Sequence, residues 1–241
     1  MPRSSSSCCL TVAPFPLLVP PVIRALIFDF DGLIIDTETP LIDAMAAIHD
    51  QAGYAFSRAG ALGLVGHVGI EFDPWTAFGP TADRAALQKE HQTLYREMCS
   101  RQPVLPGVLD YLQGAKSRGL KLGIASNSSH RHVDGHLARL ELLGFFDLVR
   151  CRDDVKRTKP EPDLYLSVLA YFGCQPHEAI AFEDSTPGTA AARAAGVWTV
   201  AVPNPSTHQH DFSAANVVVR SLAVQPLDSL LDRFGSETTG G

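Results

Sequence analysis

Short apolar runs rich in β-branched residues recur along the chain at 22–28, 120–125, 179–182, 197–202 and 216–219. Their length predicts buried strands rather than helices. Between them, apolar positions recur every three to four residues over 39–51, 82–99, 107–118, 130–142, 163–173, 188–195 and 226–234, which predicts helices. Pro106-Gly107 and Gly119 bound the third of these, and Gly144 and Gly196 read as later stops. Strand and helix alternate from residue 105 onward, the order of a parallel, doubly wound α/β sheet. From Thr37 to about Val104 no strand pattern appears. That segment reads as helices around a loop at 60–80, so it predicts an α-helical insertion directly after the first strand. No internal repeat is visible.

The first apolar run stops at Phe28-Asp29-Phe30-Asp31-Gly32. In extended backbone, residues two apart face the same side, so Asp29 and Asp31 can converge at the strand's carboxyl end. Open α/β sheets place their ligands at that edge. Paired carboxylates there need a proton or a cation to offset their repulsion. Mg²⁺, which takes hard oxygen ligands and few of them from protein, is the natural partner. Such a pair alone reads as a solvated turn, but three later segments change that. Ala125-Ser126-Asn127 follows the second run, Lys159-Pro160-Glu161-Pro162-Asp163 opens a helix, and Glu183-Asp184 ends the third run.

Together, FDFDGLIIDTE (28–38), ASNSS (125–129), KPEPDLY (159–165) and FEDSTPGTAAARAAG (182–196) resemble the haloacid dehalogenase superfamily. More narrowly, they resemble its β-phosphoglucomutase-like phosphatases with a small helical cap. The resemblance covers roughly 22–234. It implies an α/β core over 22–36 and 105–235 with a helical cap over 37–104, hinged near 36–38 and 103–106. It also implies a Mg²⁺-dependent phosphatase that cleaves small phosphate monoesters through an aspartyl-phosphate.

In that scheme Asp29 is the nucleophile and Asp31 the general acid and base. Asp at position 31 favours phosphate ester chemistry over dehalogenation. Ser126 and Asn127 bind the phosphoryl group, with Ser126 also suited to cap a helix. Lys159 stabilises the transferring charge. Asp184, one Asp29 oxygen and the Asp31 carbonyl hold the metal, and Glu183 assists through a water. Lys156 and Arg157 are expected at the surface.

The cap departs from the mutase pattern in two places. Gly69 stands where mutases carry an arginine for a second phosphate, and Leu41 where they carry a histidine. Both changes favour water as acceptor over a sugar phosphomutase. A third alternative, a non-catalytic phosphate-binding protein on the same fold, is weakened because Asp29, Asp31, Lys159 and Asp184 are all present. The loop His67–Trp75, apolar and acidic, suits a small, partly apolar or polyol monophosphate better than a bisphosphate.

A net charge of −6 removes the electrostatic case for nucleic acid or anionic membrane as partners. Five cysteines (Cys8, Cys9, Cys99, Cys151 and Cys174) include no Cys-x-x-Cys, which fits a reduced, cytoplasmic chain. A monomer is expected. Residues 1–21, serine- and proline-rich, lack the unbroken apolar core of a signal peptide and read as a disordered extension, with the folded chain starting near Val22. Residues 236–241 read as a disordered tail. None of the nine histidines has metal-ligand spacing. His130 and His132 are expected to be exposed on a helix, His208 and His210 lie in a late polar loop, and His67, in the cap loop where it could face the cleft, is expected at the surface.

Overall fold

The computed structural model describes residues 22–63 and 72–236. The expected N-terminal extension, most of the C-terminal tail and the cap-loop positions Gly66, His67 and Gly69 lie outside the described residues.

Six parallel strands form one sheet: β1 (Ala25–Phe28), β2 (Lys121–Ala125), β3 (Leu148–Arg150), β4 (Ala179–Glu183), β5 (Trp198–Ala201) and β6 (Val217–Val218). Their order is β3-β2-β1-β4-β5-β6, so the chain winds outward from β1 in both directions. β1 is therefore flanked on both sides, with Phe28 in register with Ile124 of β2 and with Phe182 of β4. Strands buried on both faces read as continuous apolar runs, and all four residues of β1 are buried.

Successive side chains feed opposite faces of the sheet. Leu26, Phe28, Leu122, Ile124, Ile180 and Phe182 join one core with α4 (Val108–Ser117), α5 (His130–Arg139) and α8 (Leu227–Ser236). Phe28 and Phe182 stack there with centroids 4.9 Å apart. Ala25, Ile27, Ala179 and Ala181 face the other way, toward α6 (Asp163–Phe172) and α7 (Thr186–Ala194). Three of these four are alanine, and the helices approach closely there: a Cβ added at Gly123 of β2 would lie 2.8 Å from Val168.

Between the β1 loop and α4 stand α1 (Glu38–Gln51), α2 (Arg58–Leu62) and α3 (Arg84–Ser100). Asp36 accepts from the Glu38 and Thr39 amides and starts α1, while Asp83 caps α3 by accepting from Ala86. These helices pack around clusters of their own, with Met45, Ile48 and Trp75 at the centre of the larger one. The chain crosses into and out of this helical segment side by side. Ile35 bridges Val104, and the Leu105 amide donates to the Ile34 carbonyl at 2.8 Å.

The predicted strands and long helices are present with ends shifted by a few residues. The pattern missed β3, three half-buried residues at the sheet edge, and the five-residue α2. Gly144 does not stop α5. That helix ends at Arg139, and Glu141 takes the positive φ of 60°. Nor does Ser126 cap it, since Ser129 is the residue before its first turn. Among the described residues, no helix is long and apolar enough to cross a membrane.

Candidate active site

The carboxyl ends of β1, β2, β3 and β4 deliver four loops to one point, the one after β3 carrying Lys159. The Asp29 amide still donates to Phe182 in the ladder, which fixes its side chain at the strand's end. Gly32, at φ +75°, then turns the chain back. A Cβ at Gly32 would lie 2.2 Å from an Asp184 carboxylate oxygen, so this turn needs both the backbone freedom and the missing side chain.

Lys159 lies between two of the carboxylates. Its Nζ donates to Asp29 Oδ1 at 2.6 Å and to Glu183 Oε1 at 2.5 Å, and all three side chains are nearly or fully buried. Tyr165 of α6 donates its hydroxyl to the same Glu183 oxygen. Asn127 holds the lysine from behind: its Oδ1 accepts from the Lys159 amide at 2.8 Å and its Nδ2 donates to the Lys159 carbonyl at 3.1 Å. Lys156 and Arg157 are exposed, as expected from the sequence.

Asp184 is held from the far side by Asn204, in the loop after β5. The Asn204 amide nitrogen reaches Asp184 Oδ2 at 2.8 Å, Glu38 Oε2 at 2.9 Å and the Gly32 carbonyl at 3.2 Å. Ser185, directly after Asp184, caps α7 by accepting from the Gly188 amide. A Cβ at Gly188 would strike the Glu183 carboxylate at 1.8 Å.

Asp31 faces a different set of partners. Ser128 donates its hydroxyl to Asp31 Oδ2 at 2.6 Å, and His132 Nε2 lies 2.8 Å from Asp31 Oδ1. Here the sequence reading is corrected: His132, expected at the surface, turns inward from the first turn of α5, where Phe30 meets its ring edge-on. His130 is also engaged, between Asp134 and Asp154. Ser126 is buried, and its hydroxyl accepts from the Ser128 amide at 3.0 Å, which positions Ser128 for Asp31.

The electrostatics are unbalanced. Burial pushes Asp29 up to about 8, against the pull of Lys159 and with Glu183 and Asp31 adding to it. Burial, followed by Glu38 and Asp29, raises Asp184 well above the carboxylate range. Burial likewise takes Glu38 to about 7. Burial also works against the Lys159 ammonium, but Asp29 and Glu183 outweigh it and raise its pKa. Asp31 is the exception: His132 and Ser128 overcome its burial and lower its pKa.

One ammonium thus faces three buried carboxylates. Asp29, Glu183 and Asp184 each offer an oxygen, and these oxygens lie within 4.8 Å of one another. Hard oxygen donors, a charge deficit and a glycine cradle fit a divalent cation.

Of the residues singled out from sequence, Asp29, Lys159, Glu183 and Asp184 converge directly. Asn127 reaches the centre through the Lys159 backbone, and Asp31 adjoins it from the same loop. Ser128, His132, Tyr165, Glu38 and Asn204 were not singled out. Ser128, Tyr165 and Glu38 stand inside the quoted motifs, and His132 follows one of them by a helical turn. Asn204, in a loop with no pattern of its own, carried no signal.

A doubly wound α/β core with an acidic centre at its strand ends and a helical insertion beside it puts ionisable groups where such sheets bind their ligands. The chain belongs to the haloacid dehalogenase-like hydrolase family, whose model matches residues 26–202. It is 36% identical over 220 residues to the YhcW protein of Bacillus subtilis (strain 168), covering 90% of this chain and all of that one. It is 31% identical to hexitol phosphatase B of Escherichia coli (strain K12), covering 88% of this chain and 98% of the other. A hydrolase of the same family from Deinococcus radiodurans R1, solved with phosphate and sodium bound, superposes with a TM-score of 0.74. It is 22% identical and covers 90% of this chain and 97% of its own.

Proposed function

We propose that this hydrolase is a Mg²⁺-dependent phosphatase of small phosphate monoesters, of the sugar or polyol kind. The observation that carries the reading is the buried Asp29–Lys159–Glu183 ion cluster with Asp184 beside it at the ends of β1 and β4. Similarity to a protein named hexitol phosphatase supports the substrate class.

Asp29 is the nucleophile. Its carboxylate oxygen forms a bond to phosphorus as the ester P–O bond breaks, giving an aspartyl-phosphate. Asp31, whose pKa His132 and Ser128 hold low, takes up a proton from solvent when it leaves those partners; it gives that proton to the departing alkoxide, then takes one from the water that attacks phosphorus and releases inorganic phosphate from Asp29. For this, the Asp31 carboxyl must exchange its Ser128 and His132 bonds for the ester oxygen and later the water.

Lys159 stays between Asp29 and Glu183 and faces the transferring charge, and Ser126 offers donors to the phosphoryl oxygens. Asn127 keeps Lys159 in place through its backbone. Asp29, Asp184 and the Asp31 carbonyl would hold Mg²⁺, with Glu183 contributing through a water. When bound, the cation supplies the charge that offsets the carboxylates and the phosphoryl group.

Helices 37–104 act in this reading as a cap that closes over the site and excludes water during the first step. The side-by-side crossing at Ile35 and Val104 is its hinge. Leu41 supports hydrolysis over mutase chemistry, because it packs into the cap's own cluster and leaves its carbonyl to His91. A cytoplasmic monomer completes the proposal; Cys99, Cys151 and Cys174 are buried and free, as a reducing compartment leaves them.

Phosphate release from a panel of polyol, sugar, nucleotide and p-nitrophenyl phosphates tests this, run with Mg²⁺ and with EDTA. Release that needs Mg²⁺ and is lost in Asp29→Asn is expected. Normal turnover in that variant removes Asp29 from the nucleophile role. No turnover of any ester in the wild-type protein returns the non-catalytic alternative.

A further inference from the structure

Tyr165 is the largest fully buried side chain among the described residues. Its ring packs with the apolar residues between the sheet and the helices α6 and α7. A phenylalanine would fill that place, and a hydroxyl there is costly unless it is hydrogen-bonded. Among the described residues its partner is Glu183 Oε1, to which it donates. Lys159 stands before Pro160 and Pro162, and Tyr165 after them in the first turn of α6. The chain between them brings both back to the same oxygen. Lys159 Nζ is 2.5 Å from Glu183 Oε1 and 5.4 Å from the centre of the Tyr165 ring.

These two donors occupy Glu183. A carboxylate oxygen has about two lone-pair directions, and on Oε1 one goes to the ammonium and one to the hydroxyl. Oε2 is walled in: Ser185 Oγ lies 3.5 Å from it, and a Cβ at Gly188 would lie 1.8 Å from it. Asp29 and Asp184 are less engaged. Asp29 Oδ1 accepts from Lys159 and Asp184 Oδ2 from Asn204, and the other oxygen of each accepts no hydrogen bond among the described residues. Those two carboxylates therefore keep an oxygen open for a cation, and Glu183 offers one that is filled and one that is enclosed.

The lysine is fixed by the same arrangement. An ammonium has three N–H groups. Two go to Asp29 and Glu183, which leaves one for a phosphoryl oxygen.

We infer that Tyr165 is a positioning residue for phosphoryl transfer. By sharing Glu183 Oε1 with Lys159, its hydroxyl fixes Glu183 as the lysine's counter-ion, keeps it out of direct contact with the cation, and holds the ammonium with one N–H turned to the phosphoryl group. This rests on the phosphatase reading and explains why Glu183 acts through a water there.

Tyr165→Phe removes the hydroxyl and keeps the ring, its packing and its face toward the ammonium. Tyr111→Phe is the control: that tyrosine is also buried, donates to the Gln225 carbonyl at 2.6 Å, and belongs to the core on the other face of the sheet. Mg²⁺ affinity is read, without substrate, from the Mg²⁺ dependence of the melting temperature. With one donor gone, Glu183 has more uncompensated charge and an oxygen free to meet the cation. Tyr165→Phe is therefore expected to bind Mg²⁺ about tenfold more tightly. Tyr111→Phe is expected to melt at a lower temperature with unchanged Mg²⁺ affinity. With p-nitrophenyl phosphate, whose leaving group needs no proton, Tyr165→Phe is expected to lose roughly tenfold in kcat at an unchanged KM. Unchanged or weaker Mg²⁺ binding in Tyr165→Phe overturns the inference and leaves the hydroxyl a structural role, as does an undiminished kcat. Should Tyr165→Phe fail to fold, Glu183→Gln is compared with Asp184→Asn. The first is expected to weaken Mg²⁺ binding about tenfold and the second roughly a hundredfold or more. Equal losses make Glu183 a direct ligand and overturn the inference. Turnover of p-nitrophenyl phosphate by the wild-type protein separately decides the phosphatase reading, which the Mg²⁺ measurements do not need.

Discussion

Replacing Lys159 with methionine isolates what the buried ammonium does. The stem is nearly isosteric, so the packing around Tyr165 is kept while the charge goes. In the native protein that charge is 2.6 Å from Asp29 and 2.5 Å from Glu183, with side chains 4%, 10% and 0% exposed. Removing one partner of a buried ion pair costs about 3–5 kcal/mol, because the others remain buried and uncompensated. A second route to the same figure is proton uptake. Neutralising one carboxylate at pH 7, from an ordinary value near 4, costs about 1.4 kcal/mol per pH unit, or about 4 kcal/mol. The smaller cost wins, so the loss is bounded near 4 kcal/mol. The sign with pH follows: a carboxyl held protonated in the folded variant has a raised pKa. The folded state then binds the extra proton, and stability falls as pH rises. At pH 5 the loss shrinks to about 1–2 kcal/mol. Urea unfolding in EDTA at the two pH values measures both numbers. A loss below about 1 kcal/mol at pH 7, or one that does not change with pH, refutes the account of a charge-compensated cluster. The same variant with Mg²⁺ is expected to lose roughly 10²–10³-fold in kcat, the scale of one removed electrostatic contact to the transition state.

Asn204→Ala frees Asp184 and Glu38 and is expected to weaken Mg²⁺ binding about 10–100-fold, read from the Mg²⁺ dependence of the melting temperature. Unchanged dependence would remove Asn204 from the metal's surroundings. His132→Ala is expected to slow esters of poor leaving groups roughly tenfold more than p-nitrophenyl phosphate, since the placement of Asp31 matters most where protonation is needed. Equal loss for all esters would assign His132 a merely structural role. Gly188→Ala places a methyl group 1.8 Å from the Glu183 carboxylate, and thermal unfolding should register a loss of about 1–3 kcal/mol.

Sequence pattern revealed the core because buried parallel strands and amphipathic helices have different periods. Leu26 and Phe28 against Ala25 and Ile27 are one alternating run that feeds two cores. It revealed Asp29, Lys159, Glu183 and Asp184 because their chemistry is costly at strand ends and each stands next to a strong apolar or proline signal. β3 escaped because three half-buried residues carry no period. His132 escaped because a histidine on a polar helix turn looks solvated until Phe30 and Asp31 come up beside it. Asn204 escaped for a related reason: it is 20 residues from Asp184 in sequence and meets it only when β5 returns alongside β4. Side chains that act by holding others have ordinary identities, and their partners lie in other loops.

Because β1 lies between β2 and β4, the amides of 26–29 are hydrogen-bonded within the innermost part of the ladder. The helices of 38–100 rest on small clusters of their own. Backbone hydrogen exchange should therefore divide the chain in time. The strand carrying Asp29 should open only when the whole molecule unfolds, while the helices beside it open and close many times over. The proposed nucleophile should thus sit on slowly exchanging ground, and the helices proposed to cap it on ground that exchanges faster.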